Sequence, residues 1–257
     1  MKLDVGNPKI TDRTNILDIE VPKEMEKNVR TGLEHLDSLC CGDGMTPSTV
    51  LLLTGIPGAG KSTLGLQLAD AITSRKNICL YNAGEESLYQ IRKTMTRLKL
   101  RHGFTPGYNN DVDDLIAHAN RLRAMNPGKQ MFVVADSLQT LTVKREDGVR
   151  GRPMSDQNMA VEAAGRLTRW AKETFSIVVI IGQVTKDGVF AGKQAIKHAI
   201  DCHLHLAFDT DRKSETYGER VAEMQKNRFG PAGLYYPFSL GATGVKFKDE
   251  AAQVEDE

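Results

Sequence analysis

The stretch GIPGAGKST, Gly55 to Thr63, decides the fold. An apolar run, Val50 to Leu53, leads into it, and a helical pattern from Leu64 to Ala71 leads out. A buried strand, a tight glycine turn and a helix N-terminus in that order make a phosphate-binding loop. Gly55, Gly58 and Gly60 can take backbone angles that other residues avoid, so successive N–H groups can converge on one phosphate. Ile56, Pro57 and Ala59 complete the loop around them. In such a loop Lys61 reaches the β- and γ-phosphates, the Ser62 hydroxyl binds Mg²⁺, and Thr63 completes the ATP-binding stretch. The competing reading, a glycine turn followed by a surface lysine, does not account for the strand before it and the helix after it. The first expectation is therefore a protein that binds a nucleoside triphosphate with Mg²⁺.

Outward from that loop, apolar segments alternate with amphipathic ones. NICLYNAGEES, Asn77 to Ser87, reads as a strand whose C-terminal end carries Glu85 and Glu86, where open α/β sheets place their ligands. Leu88, Ile91, Met95 and Leu98 then recur at helical spacing. His102 to Asp111 reads as a loop, and Leu115, Ile116, Ala119, Leu122 and Met125 mark a second helix. MFVVADSLQTL, Met131 to Leu141, is a continuous apolar strand ending in Asp136. A carboxylate closing a buried strand downstream of a phosphate loop orders the water shell of Mg²⁺; its other role would be to cap the next helix. A helix over about Asp156–Phe175 places Ala160, Ala163, Ala164, Leu167 and Ala171 on one face. SIVVIIGQ, Ser176 to Gln183, is a further buried strand with Gln183 at its end.

The alternation predicts an α/β fold: a mainly parallel twisted sheet with helices on both faces. The phosphate loop, Glu85/Glu86, Asp136 and Gln183 then fall at the C-terminal ends of strands and converge on one edge. Glu85 is the preferred water-activating residue and Glu86 the second choice, the alternative being that either caps the following helix.

Two polar loops interrupt the pattern. Lys144 to Asn158 contains Lys144, Arg145, Arg150 and Arg152 against Glu146 and Asp147, and a loop of that length is functional or mobile. Thr185 to Asp201 reads as a second glycine-bearing loop. CHLHLAF and LYYPFSL read as two more strands, and His203 and His205 alternate on the first. Without a third ligand they suggest a half-exposed strand rather than a metal site. Residues 1–28 read as an arm or linker, 29–248 as one ATPase domain, and 249–257 as an acidic tail.

Composition narrows the classes. The 257 residues are 40% hydrophobic with a net charge of +1, so disorder is excluded and nucleic-acid binding must rest on local patches. No apolar run approaches the ~20 residues that span a bilayer. The N-terminal MKLDVGNPKI lacks a signal-peptide core, which predicts a cytoplasmic protein. Cys40, Cys41, Cys79 and Cys202 have no CxxC spacing and read as small core or turn residues.

Six segments carry a closer resemblance: TGLEHLD, GIPGAGKSTL, YNAGEES, VVADSLQTL, IGQVTKDGVFAGKQAIKHAID and KNRFGP (Lys226 to Pro231). Over Thr31 to Phe247 the chain resembles the ATPase core of the RadA (Sms) branch of the RecA superfamily. The resemblance implies a RecA-like P-loop core and a ring-forming, hexameric homo-oligomer in the superfamily's manner, DNA-stimulated in its ATP hydrolysis. It implies branch migration or unwinding of single-stranded or branched DNA in recombinational repair, alongside a RecA-type recombinase. It also implies roles: Glu85 as catalytic glutamate, Gln183 as the switch between γ-phosphate and the second DNA loop, and Lys226 and Arg228 acting across the subunit interface. The two loops would line a central DNA channel, with Lys144, Arg145, Arg150 and Arg152 in the first and Lys186 and Lys193 in the second. The branch's zinc ribbon and Lon-protease-like domain are not matched, and its usual histidine is replaced by Gln183. A KaiC-like signalling ATPase and a DnaB-type replicative helicase motor are the alternative classes; KNRFG and the TKDG loop weigh against the first.

Overall fold

The computed structural model describes residues 11–12, 14–144, 156–183, 193–248 and 252–253. After two short 3₁₀ turns in an exposed N-terminal stretch come α1 (Glu34–Cys41), β1 (Val50–Gly55), α2 (Lys61–Ser74), β2 (Ile78–Ala83) and α3 (Leu88–Leu98). They are followed by β3 (Thr105–Gly107), α4 (Val112–Met125), β4 (Met131–Asp136), α5 (Asp156–Thr174) and β5 (Ile177–Ile181). The chain continues with α6 (Lys193–Ala199), β6 (Cys202–Phe208), β7 (Arg220–Asn227), β8 (Leu234–Gly241), β9 (Gly244–Phe247) and β10 (Ala252–Gln253).

One sheet runs β10-β8-β7-β6-β1-β5-β4-β2-β3, with β9 also paired to β8. From β6 to β3 every pairing is parallel, and from β6 outward to β7, β8, β9 and β10 every pairing is antiparallel. β1 lies between β5 and β6, covered on both faces, and all six of its residues are buried. That explains why it reads as an unbroken apolar run rather than an alternating one. Alternate side chains still divide the core. Leu51 and Leu53 pack with Leu64, Leu66 and Leu68 of α2, together with residues of α1 and α3. Val50 and Leu52 pack with Leu115 of α4, Ala163 and Leu167 of α5, Ile196 of α6 and Ile200 just after it. The mainly parallel sheet with helices on both faces is thus as expected.

Four local expectations need correction. The His102–Asp111 segment is not all loop: Thr105–Gly107 adds a parallel edge strand to β2. Thr185–Asp201 contains helix α6, whose Ile196 anchors it to the core. β7 was not anticipated as a strand, because its charged residues mask an alternation in which Val221, Ala222 and Met224 are buried. Within the acidic tail, Ala252–Gln253 pair with β8. Cys40, Cys79 and Cys202 are buried in the core, as read. Among the described residues no helix is long and apolar enough to cross a membrane.

Candidate nucleotide site

The phosphate loop closes between β1 and α2, with Gly60 at the helix N-cap at φ 104°. A side chain there would face an unfavourable left-handed backbone and press on Leu240, whose methyls lie 3.4 Å from an added Cβ. At Gly55 the obstacle is the neighbouring strand, since a Cβ would sit 2.6 Å from the Leu206 carbonyl. The Lys61 ammonium is buried over the loop and donates to the carbonyls of Gly55 (2.8 Å) and Ile56 (3.0 Å). Burial lowers its pKa, and the nearby Asp136 and Glu85 carboxylates act in the opposite sense.

Beyond the loop lies a cleft of about 350 Å³ lined by Pro57, Gly58, Gly60, Lys61, Ser62, Thr63, Glu85, Asp136, Ser137, Ile181, Gln183 and Leu240. The sequence-predicted groups at the ends of β1, β2, β4 and β5 do meet here. Glu85 accepts from the Ser137 hydroxyl at 2.5 Å and from the Gln183 amide at 3.0 and 3.1 Å. Asp136 accepts from the Tyr81 hydroxyl at 2.6 Å and from Ser62. Burial raises the Asp136 pKa, while those two hydrogen bonds and Lys61 hold it down. Ser62 and Asp136 therefore stand side by side as hard oxygen donors, the chemistry that Mg²⁺ takes.

Glu86 does not share the cleft. It lines a smaller recess of about 100 Å³ with Ser62, Tyr81, Thr94, Arg97 and Asp136. Neither glutamate caps α3; Ser87 does, in a reciprocal capping box with Gln90. Asp136 is likewise engaged with Tyr81 and Ser62, and the 3₁₀ turn after β4 has no side-chain cap.

Lys226 and Arg228 lie at the other end of the sheet. β7 runs antiparallel to β6, so Lys226 stands opposite His203 and Asn227 opposite Cys202, at the strand ends remote from Gly55. Lys226 donates to the Lys197 and Ile200 carbonyls at 2.6 and 2.7 Å, at the C-terminal end of α6. Arg228 pairs at 3.0 Å with Asp201, a fully buried carboxylate that also takes Lys172 at 2.5 Å. Within one chain these two cations are not brought to the phosphate loop.

Of the basic residues assigned to DNA, Arg145, Arg150, Arg152 and Lys186 lie outside the described residues. Lys193 opens α6, and Lys144 pairs with Asp114 at 2.6 Å. Of the two histidines, His203 is buried and His205 half-buried, so the half-exposed reading holds only toward the C-terminal end of β6. β6 is interior to the sheet, and the Thr54 hydroxyl lies 2.7 Å from one imidazole and 2.8 Å from the other. Burial lowers both, His203 to about 3.

Sequence reasoning missed Tyr81 and Ser137, which hold Asp136 and Glu85. Both carry a sequence signal: a hydroxyl in a mostly apolar strand, and a hydroxyl directly after the strand-ending carboxylate. It also missed Arg220, whose guanidinium reaches the Gly58 carbonyl at 3.3 Å, because β7 itself was not recognised.

A model for the KaiC ATPase matches residues 29–252. The DNA repair protein RadA of Mycobacterium tuberculosis is 35% identical over 215 residues, 84% of this chain and 42% of that protein. The RadA of Haemophilus influenzae is 30% identical over 230 residues, 88% of this chain and 46% of that one. The chain thus spans less than half the length of these curated relatives. Among solved structures, a DnaB-like replicative helicase superposes with a TM-score of 0.70 at 16% identity, over 83% of this chain and 60% of that one. A KaiC-like protein from Pyrococcus horikoshii gives 0.64 at 18% identity, over 86% of this chain and 99% of that one. At such identities these two neighbours speak for the fold alone. Taken with the phosphate-loop cleft, the match over residues 29–252 and the RadA relatives mean that the chain belongs to the KaiC-type ATPases of the RecA superfamily, on the RadA branch.

Proposed function

We propose that this protein is a DNA-dependent ATPase of RadA type that acts in recombinational DNA repair. The observation that carries the catalytic half is Glu85, a carboxylate held by Ser137 and Gln183 in the same cleft as Lys61 and Asp136. Two donors fix its position, so it can orient an attacking water and take its proton; such positioning supplies most of the rate in phosphoryl transfer. Lys61 provides positive charge to the β- and γ-phosphates of ATP, and the loop N–H groups cradle them. Ser62 and Asp136 would hold Mg²⁺, which supplies charge neutralisation on the phosphates when bound. Glu86, in its separate recess, is the weaker candidate base.

Gln183 donates to Glu85 and lies two residues before the second glycine-bearing loop. It is suited to pass a change at the γ-phosphate to a DNA-binding segment. Lys226 and Arg228, remote from the chain's own loop, suit a role on a neighbouring subunit's nucleotide, which requires a closed ring of copies, taken here as a hexamer. Lys144, Arg145, Arg150, Arg152, Lys186 and Lys193 would contact DNA phosphates inside that ring, during branch migration or unwinding beside a RecA-type recombinase in the cytoplasm.

The test is ATP turnover with and without single-stranded DNA. Stimulation by DNA is the expected result. Turnover that DNA leaves unchanged would favour a KaiC-like signalling ATPase, the reading that the KaiC family match keeps in play.

A further inference from the structure

The cleft around the phosphate loop has two unlike sides. On one stand Glu85, Asp136, Ser137 and Gln183, all polar or charged. On the other stand Pro57, Gly58 and Leu240, and beyond Gly58 the edge of the sheet where β6 ends and β7 begins. A nucleobase has large apolar faces and is poorly accommodated among carboxylates, so the second side is the one suited to receive it.

That edge carries a distinctive pair. Arg220 and Phe208 are cross-strand partners, and the Arg220 guanidinium carbon lies 4.4 Å from the centre of the Phe208 ring. The guanidinium also donates to the Gly58 carbonyl at 3.3 Å, which ties the pair to the phosphate loop. Strand parity puts Phe208 and Arg220 on the face of Leu204, Leu206, Ala222 and Met224, the face that α2 covers. Phe208 nevertheless remains 44% exposed, an apolar ring left facing solvent beside the loop. The core does not need it there.

We propose that Phe208 and Arg220 form the platform on which the base of a bound purine nucleotide stacks. This inference rests on the nucleotide-binding reading of the same cleft. Stacked aromatic and guanidinium planes recognise the face of a base and not its edge. The platform therefore favours purines over pyrimidines for their larger area, while distinguishing ATP from GTP only weakly.

Affinities of Mg·ATP, Mg·GTP, Mg·CTP and inorganic Mg·tripolyphosphate, measured by displacement of a fluorescent nucleotide, separate the base from the phosphates. Alanine at a stacking position should weaken ATP and GTP binding about 5- to 100-fold. Phe208→Ala and Arg220→Ala should both do so, leave tripolyphosphate binding unchanged, and bring ATP close to CTP. Arg220→Lys should not restore ATP affinity, because the charge returns without the plane. Phe208→Leu, which keeps apolar bulk, guards against loss of fold and should weaken ATP likewise, with thermal unfolding at its normal temperature. Nucleotide affinities within twofold of wild type would overturn the platform. Equal losses for ATP and tripolyphosphate would also overturn it, showing that the pair supports the loop and not the base. A wild-type protein that binds neither ATP nor tripolyphosphate would overturn the nucleotide reading and this inference with it.

Discussion

Asp201→Asn tests how the sheet edge remote from the phosphate loop is held. Asp201 is wholly buried just before β6. Its carboxylate accepts from the Val50 N–H at 3.0 Å, from Lys172 at 2.5 Å and from Arg228 at 3.0 Å. Asparagine keeps the shape and one acceptor for Val50 but leaves two cations without their counter-charge. Removing one partner from a buried pair costs about 3–5 kcal/mol. The Arg228 side chain is 54% exposed and regains water, whereas that of Lys172 is 18% exposed and depends more on its partners. Lys172 keeps one bond, to the Ser48 carbonyl at 3.0 Å. These relaxations bring the expected loss to about 2–3 kcal/mol, at or below the lower bound of that range. For a domain of this size that is a fall in Tm of about 5–10 °C. Urea unfolding with a Lys172→Met double-mutant cycle should return a coupling of about 1–2 kcal/mol, while Arg228→Ala alone should cost less than about 1 kcal/mol. A loss below about 1 kcal/mol for Asp201→Asn, or no coupling to Lys172, would refute the reasoning.

Four further outcomes follow from the same geometry. Lys61→Ala should abolish ATP binding or turnover, checked by nucleotide displacement and phosphate release. Glu85→Gln should bind ATP normally yet turn over about 10²- to 10⁴-fold more slowly, and Glu86→Gln much less so; the reverse order would transfer the base role to Glu86. Lys226→Ala should bind ATP but fail to hydrolyse it, and mixing it with Lys61→Ala subunits should restore some activity; mixed rings with no recovery would remove the role in trans. Acid stability should depend on His203: burial, aided by the charges of Lys197, His205 and Lys226, lowers it from 6.5 to about 3. The unfolded chain then binds a proton that the native protein refuses, so its contribution is intact above pH 6.5 and is lost as pH falls, by about 1.4 kcal/mol per unit. In urea unfolding between pH 7.5 and 5, His203→Asn should have a visibly flatter slope than wild type.

The phosphate loop, the strand-ending carboxylates and the layered α/β plan were legible in the sequence because each rests on local rules. A glycine turn between an apolar run and a helix needs no tertiary knowledge. Unbroken apolar runs such as Val50 to Leu53 and Met131 to Ala135 announce strands covered on both faces. Even the meeting of Glu85, Asp136 and Gln183 follows from all lying at the C-terminal ends of strands in a parallel sheet. What only the tertiary structure decided is how neighbouring polar residues divide their work. Glu85 and Glu86 are adjacent in sequence, yet one enters the cleft and the other a recess beside Arg97, because Ser137 and Gln183 from other strands hold the first. His203 and His205 alternate as in any two-sided strand, but β1 and β7 flank them and bury the ring nearer the core. Arg220 and Phe208 are twelve positions apart in the chain and become neighbours only through antiparallel pairing beside Gly58. Side-chain burial and hydrogen-bond partners at these positions come from strand order, a non-local property that no short window of sequence contains.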